Sequence, residues 1–249
     1  MTGGISWLTP AWPVPAHVRV LSTLRGGGAS SGAYASLNLA AHVGDEPAMV
    51  DGNRRRLRDA ARLPQEPLWL KQVHGTQVVV NDGPARAPRA DAAVALGPGH
   101  VCAVLTADCL PVVLVDRAGT RIGVAHAGWR GLAAGVLEAT VAALGRNPRD
   151  LLAWLGPAIG PAAFEVGAEV REAFLLRMAG SPSCFEANDR GRYQADLYGL
   201  ARQILANAGV ADVHGGGWCT ATDRAQFFSY RRDGATGRMA TLAWLEPGP

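Results

Sequence analysis

The chain has 249 residues and no linker-like tract, which predicts a single domain spanning residues 1–249. Its formal net charge is only +3, and its arginines are scattered, so nucleic acid is not an expected partner. The first residues lack a charged stretch followed by an apolar one, and the longest apolar run is interrupted at Asp108, so we expect a cytoplasmic protein without a membrane span.

The first half of the chain contains strand, loop and helix patterns in turn. Residues 17–25 alternate like a strand and lead into a glycine- and serine-rich loop, which we expect to bring backbone N–H groups against a ligand. Residues 47–62 predict a helix with Pro47 in its first turn. Residues 69–80 are rich in β-formers, and Gly75 indicates a kink directly after His74. A polar loop is expected to follow.

The second half mixes strands and helices without a regular βαβ repeat. We predict strands at 101–106, 111–116, 121–128 and 151–155, helices at 131–145, near 166–178 and at 196–208, and a C-terminal hairpin formed by residues 227–232 and 237–245. This order favours an α/β fold with a mixed central sheet and flanking helices, and it does not fit a doubly wound sheet.

The segment LTADCLPVVLV, residues 105–115, places an acid and a thiol inside an apolar run. A buried carboxylate or thiolate is costly, so each must be exposed by a turn or neutralised by a partner. The segments 111–116 and 121–127 are joined by a short turn, which predicts a β-hairpin. Pairing Asp116 with Thr120 or Gly119 would put Cys109 opposite Ala127 or His126. Cys109 and His126 should therefore meet at the open end of the hairpin.

His74 is the best candidate for a third group at this position, because it ends a predicted strand beside a glycine. Two histidines and one thiolate leave a fourth position for water, which is typical of catalytic zinc. Two alternatives stay open. Cys109 could be an ordinary small core residue. It could also be the nucleophile of a metal-free cysteine amidase acting on peptidoglycan precursors, with His126 as base and His74 or Asp108 as the orienting group.

Several segments together resemble one known family. They are QVHGTQV (72–78), LTADCLPVVLVD (105–116), HAGWRGLAAG (126–135), SLNLAAHVGD (36–45) and the stretch 219–238. The family was first called multicopper polyphenol oxidase or laccase-like, and is now described as zinc-dependent purine nucleoside phosphorylases and adenosine deaminases. One branch is described as a peptidoglycan editing factor.

The resemblance implies a zinc ion held by His74, Cys109 and His126. It also implies phosphorolysis of adenosine, inosine and 5′-methylthioadenosine to a free base and a ribose 1-phosphate, with adenosine deamination as a further activity. The older copper oxidase description needs a mononuclear site and a trinuclear cluster, and six histidines without an H-x-H pair are too few. A monomer that binds purine nucleosides and phosphate is expected.

Phosphorolysis needs phosphate to be bound near the reacting carbon, and arginine side chains and backbone N–H groups are the usual means of binding it. The candidates are Arg25, Arg130 and Arg231, with Ser30 and Asn38 as further contacts to phosphate or ribose. Asp108 lies beside a predicted ligand and could move a proton or orient a ligating histidine. It could equally be a turn carboxylate that caps nearby N–H groups.

Overall fold

The computed structural model describes residues 4–83, 87–178 and 180–247. Within those ranges no helix is both long and apolar enough to cross a membrane. The helices are α1 (Pro47–Ala61), α2 (Trp129–Ala134), α3 (Val136–Leu144), α4 (Ala168–Leu175), α5 (Leu197–Asn207) and α6 (Tyr230–Asp233). The strands are β1 (Trp7–Leu8), β2 (Val18–Thr23), β3 (Val78–Val80), β4 (Ala92–Ala95), β5 (Cys102–Thr106), β6 (Leu110–Asp116), β7 (Ile122–Ala127), β8 (Leu151–Leu155), β9 (Glu165–Val166), β10 (Phe185–Ala187), β11 (Tyr193–Ala195), β12 (Asp212–Gly215) and β13 (Met239–Leu245).

The central sheet has six strands in the order β12-β8-β6-β7-β4-β3. The outer pairs β12/β8 and β3/β4 are parallel and the inner pairs are antiparallel, which confirms the predicted mixed α/β fold. A second sheet has the order β1-β2-β13-β5, and a small third sheet has the order β10-β11-β9.

Strand β6 shows why the central strands are apolar on both faces. Val112 and Leu114 pack with residues of α3, α4 and α5, whereas Val113 and Val115 pack with residues of β2, β5 and β13. Successive side chains of a strand point to opposite faces, so each face of this sheet is covered. The buried core therefore holds β6 and β7 rigidly, and their ends carry the candidate site.

The predicted hairpin of β6 and β7 is present, but its register differs from the prediction. Pro111 faces His126, and Leu110 faces Ala127. The reason is Asp116, whose carboxylate accepts hydrogen bonds from the backbone N–H groups of Thr120 (2.6 Å) and Arg121 (2.8 Å). Asp116 consequently pairs with Arg121, and Cys109 lies just beyond the paired region.

Other segments also depart from the prediction. The helix expected at 131–145 is divided into α2 and α3 at Gly135, whose φ of +110° is unfavourable for residues with a side chain. The loop expected after residue 80 contains β4. The C-terminal hairpin does not form, because residues 227–229 form no strand and are followed by α6, while β13 pairs with β2 and β5.

Candidate metal centre

The structure brings His74, Cys109 and His126 together. One donor atom from each residue lies within 4.8 Å of the others, and the Cys109 Sγ is 3.9 Å from the His74 Nε2. His126 is buried on β7, and His74 is exposed in the turn before β3. Among the described residues this is the only group of three or more His, Cys, Asp or Glu side chains close enough to share an ion.

Asp108 forms the bend that presents Cys109. Its φ is +90°, an unusual backbone conformation for a residue other than glycine. One carboxylate oxygen accepts a hydrogen bond from the Thr220 hydroxyl at 2.6 Å, and the other accepts one from the backbone N–H of Arg231 at 2.7 Å. With both oxygens engaged, these contacts favour the capping interpretation of Asp108 over a role in proton transfer. They also explain why residues 227–232 leave the predicted strand conformation.

Asp91 belongs to the site and was missed by the sequence analysis. This completely buried carboxylate accepts hydrogen bonds from the backbone N–H groups of Val73 (3.1 Å), His74 (2.9 Å) and Gly75 (2.7 Å), and from Nδ1 of His126 (2.9 Å). Burial opposes its ionisation, but the hydrogen bonds outweigh burial and hold the pKa of Asp91 below its ordinary value. The available signal was an acid directly before the buried apolar strand β4, the same anomaly that marked Asp108.

Cys109 and His126 form a charged pair. Burial alone would raise the pKa of the Cys109 thiol. The imidazoles of His126 and His74 lower this pKa by more than burial raises it, so the net shift is downward. Burial likewise lowers the pKa of His126, and the Cys109 thiolate and the Asp91 carboxylate more than reverse that effect. The two shifts favour the thiolate form of Cys109, which is the form that binds metals.

The donor set fits zinc. Zinc takes thiolate and imidazole ligands at about 2.0–2.3 Å, so its donors must lie within a few ångströms of one another, as these do. No fourth donor of the described residues joins the group, which leaves a position open. Two histidines and one cysteine also form the equatorial set of blue copper sites, but a multicopper oxidase needs a second cluster of ligands, which the described part of the chain does not contain.

The three donors line a cavity of about 430 Å³, which is large enough for a small organic ligand. Trp129, Phe164 and Tyr230 supply aromatic walls. Three positively charged side chains also line the cavity, those of Arg130, Arg231 and Arg238, and so does His42. The cavity therefore combines a metal-binding group, aromatic surfaces and positive charge.

The structure places two of the three predicted phosphate-binding arginines in this cavity. Arg130 lies over the ring of Trp129 at 4.4 Å, and Arg231 donates to the backbone carbonyl of Glu165 at 2.9 Å. Arg238, which the sequence analysis did not single out, also lines the cavity, and its backbone N–H donates to Asn38 Oδ1 at 3.0 Å. The signal for Arg238 was weak, because it lies in a segment predicted to be an ordinary strand.

Arg25 does not line the cavity. Its guanidinium donates to the backbone carbonyls of Ala35 at 2.9 Å and Arg224 at 3.1 Å, and it lies over the ring of Phe228. Its donors hold the loop after β2 against the C-terminal segment. The predicted contact between Arg25 and phosphate is therefore not supported by its position.

Ser30 and Asn38 are buried in a polar network, not at the cavity wall. Both donate to one carboxylate oxygen of Asp45, at 2.6 Å and 2.9 Å, and Asn53 donates to Ser30 at 2.9 Å. Some N–H groups of the loop bind within the protein, as when Ala29 donates to Oδ1 of Asn53 in α1 at 2.8 Å and Gly28 donates to Oγ of Ser36 at 3.0 Å. The network therefore stabilises the loop, and the Asn38 side chain accepts from the backbone of Arg238. Neither Ser30 nor Asn38 lines the cavity of the three donors, and a ligand contact by this loop stays a prediction.

Comparison with known proteins identifies the family. The model of the family described as multi-copper polyphenol oxidoreductase laccase matches residues 19–246, and the chain belongs to that family. It is 56% identical to a purine nucleoside phosphorylase of Pseudomonas aeruginosa, over 97% of this chain and 99% of the relative. It is 55% identical to the purine nucleoside phosphorylase YfiH of Escherichia coli, over 96% of this chain and 98% of the relative.

A solved structure of a Neisseria meningitidis protein has the same fold. It superposes with a TM-score of 0.94 at 51% sequence identity, over 97% of this chain and 99% of that one. The names of the curated relatives support an enzyme, and purine nucleoside phosphorylase is the activity in those names.

Proposed function

We propose that this protein is a zinc-dependent purine nucleoside phosphorylase, which converts adenosine, inosine or 5′-methylthioadenosine and phosphate into the free base and a ribose 1-phosphate. The observation that carries the proposal is the convergence of His74, Cys109 and His126 at a cavity walled by aromatic rings and arginines. The relatives' names favour this reaction over the amide hydrolysis considered from Cys109 and His126 alone.

The metal ligands are His74, Cys109 and His126. When bound there, zinc would supply a Lewis acid that retains about one positive charge after the thiolate is counted. The chain's contribution is to hold the sulfur as a thiolate and to orient the two imidazoles toward the cavity. The aromatic side chains Trp129, Phe164 and Tyr230 would bind the purine, because large rings bury much apolar surface and stack on flat heterocycles.

Phosphate would be held by Arg130, Arg231 and Arg238, whose charges neutralise it and whose planar donors fit its oxygens. A phosphate oxygen forms the new bond to C1′ while the bond from C1′ to N9 breaks. The electron pair of that bond leaves with the purine, which takes up a proton from solvent. Holding both reactants in one cavity removes much of the entropic cost of the reaction.

We propose adenosine deamination as a second activity of the same cavity. Here water adds to C6 of adenine and ammonia leaves, which is the chemistry of zinc deaminases. The cavity lined by the three donors supports it, because a small molecule can approach them there. The two activities differ in their products, since only phosphorolysis releases ribose 1-phosphate and only deamination releases ammonia.

The test measures both products together with bound metal. Purified protein should contain about one zinc per chain and should release ribose 1-phosphate from adenosine and inosine only when phosphate is present. Cys109→Ala should lose the zinc and both activities. Cys184→Ala is the matched control, because Cys184 is a buried cysteine that does not line the cavity, and it should keep them.

Two results would refute the proposal. Full nucleoside turnover by metal-free protein would exclude a zinc mechanism. Failure of the zinc-loaded protein to use phosphate with any of the three nucleosides would exclude a phosphorylase.

A further inference from the structure

We propose that Asp91 is the positioning residue of the metal centre, because its carboxylate orients both histidine ligands at once. The inference rests on the proposed zinc site. Asp91 does not line the cavity and is not one of the three proposed ligands. Asp91 is completely buried and lies directly before β4. It lies between the turn that carries His74 and the strand that carries His126.

On one side, the carboxylate holds the His74 turn. It accepts hydrogen bonds from three successive backbone N–H groups, those of residues 73, 74 and 75, at 3.1, 2.9 and 2.7 Å. His74 has a φ of +60°, a left-handed conformation that is unfavourable for a residue with a side chain. Three charge-assisted hydrogen bonds are enough to offset that cost. The direction of the His74 side chain therefore depends on Asp91.

On the other side, the same carboxylate holds His126. Its Oδ1 accepts a hydrogen bond from Nδ1 of the imidazole at 2.9 Å, and the Asp91 backbone carbonyl accepts one from the His126 N–H at 2.7 Å. A carboxylate can only accept here, so a neutral imidazole keeps its proton on Nδ1 and offers the lone pair of Nε2. Carboxylates placed behind ligating histidines act in this way at zinc sites.

A purely structural role is the alternative, and the chain contains a suitable control for it. Asp116 lies at the other end of β6 from Cys109 and is also buried. It also accepts hydrogen bonds from two backbone N–H groups, and from two side chains, the Thr120 hydroxyl and the Arg146 guanidinium. Removing either charge costs folding stability by breaking similar hydrogen bonds. Only Asp91 contacts the proposed ligands.

The experiment compares Asp91→Asn with Asp116→Asn. Zinc affinity is measured by competition with a chromophoric chelator, and unfolding of the metal-free proteins is measured with urea. We expect Asp91→Asn to weaken zinc binding by about 10- to 100-fold and Asp116→Asn to change it less than about threefold, although both unfold more easily. Equal weakening in the two variants, or unchanged affinity in Asp91→Asn, would overturn the inference.

A second measurement does not depend on the variant folding. In the zinc-loaded unmutated protein, ¹⁵N spectra of the histidine rings should show His126 protonated at Nδ1 and bound to metal through Nε2. Metal bound through Nδ1 of His126 would overturn the role of Asp91. If the unmutated protein binds no zinc at all, the proposed function itself fails, and the two failures are thereby distinguished.

Discussion

Gly128 lies directly against Cys109. A Cβ atom added to Gly128 would stand 2.8 Å from the Cys109 Sγ and 3.0 Å from Cδ2 of His74, closer than Cβ atoms ordinarily approach other heavy atoms. The backbone of Gly128 has φ −65° and ψ 158°, a conformation open to any residue. Space, not conformation, therefore requires glycine between His126 and Trp129.

The first prediction concerns Gly128→Ala. The added methyl group should push Cys109 and His74 apart, and we expect zinc affinity to fall at least about tenfold, with phosphorolysis falling in parallel. Chelator competition and product assays would measure the two effects. Gly52→Ala in α1 is the control, because nothing lies within 4 Å of its Cβ position, and it should gain up to about 1 kcal/mol of stability. Unchanged zinc binding in Gly128→Ala would contradict the packing argument.

Local patterns predicted much of the fold. Helix α1 begins at Pro47 as expected, because proline at a first helical position is a local signal, and the β6/β7 hairpin follows from two apolar runs and a short turn. The register was wrong, since the Asp116 side chain decides which residues form the turn. The break at Gly135 was missed, because a single glycine does not reveal whether it will adopt a left-handed conformation.

The candidate site was only partly predictable, because some of its residues are brought together by contacts that are distant in the chain. Cys109 and His126 are close in the hairpin, so spacing brought them together, and His74 was added by its position beside a glycine. Asp91 and Arg238 act through long-range contacts, the first with residues 73–75 and the second supported by Asn38 from 200 positions away. No local pattern encodes such contacts. The partners of the glycine-rich loop were missed as well, because Asp45 and Asn53 lie 15 and 24 positions along the chain from the residues that they bind.

The second prediction separates the arginines. Arg238→Gln should raise the KM for phosphate by about 10- to 100-fold, because a hydrogen bond to a charged group contributes about 1.5–3 kcal/mol. Arg25→Gln should leave that KM within about twofold and instead lower the free energy of unfolding, since the Arg25 guanidinium lies outside the cavity, where it donates to backbone carbonyls and lies over the Phe228 ring. Steady-state kinetics with phosphate as the varied substrate decides the matter. An Arg25→Gln variant with the larger phosphate defect would reverse the assignment.

The third prediction concerns stability against pH through Asp116. Burial opposes ionisation of this carboxyl, but hydrogen bonds from Thr120, Arg121 and Arg146 outweigh it, so the pKa of Asp116 is lowered on folding. A lowered folded-state pKa stabilises the protein above the unfolded-state pKa of about 3.9, and that contribution is lost as the pH falls through the folded-state pKa.

Asp116→Asn should therefore reduce the free energy of unfolding by about 1–3 kcal/mol at pH 7, and the difference from the unmutated protein should shrink as the pH is lowered below about 4. Urea unfolding at a series of pH values measures this difference directly. Because the hydrogen bonds of Asp116 form the turn between β6 and β7, amide exchange at Thr120 and Arg121 should also accelerate in the variant. A difference that stays constant or grows toward acid pH would show that charge on Asp116 does not stabilise the turn.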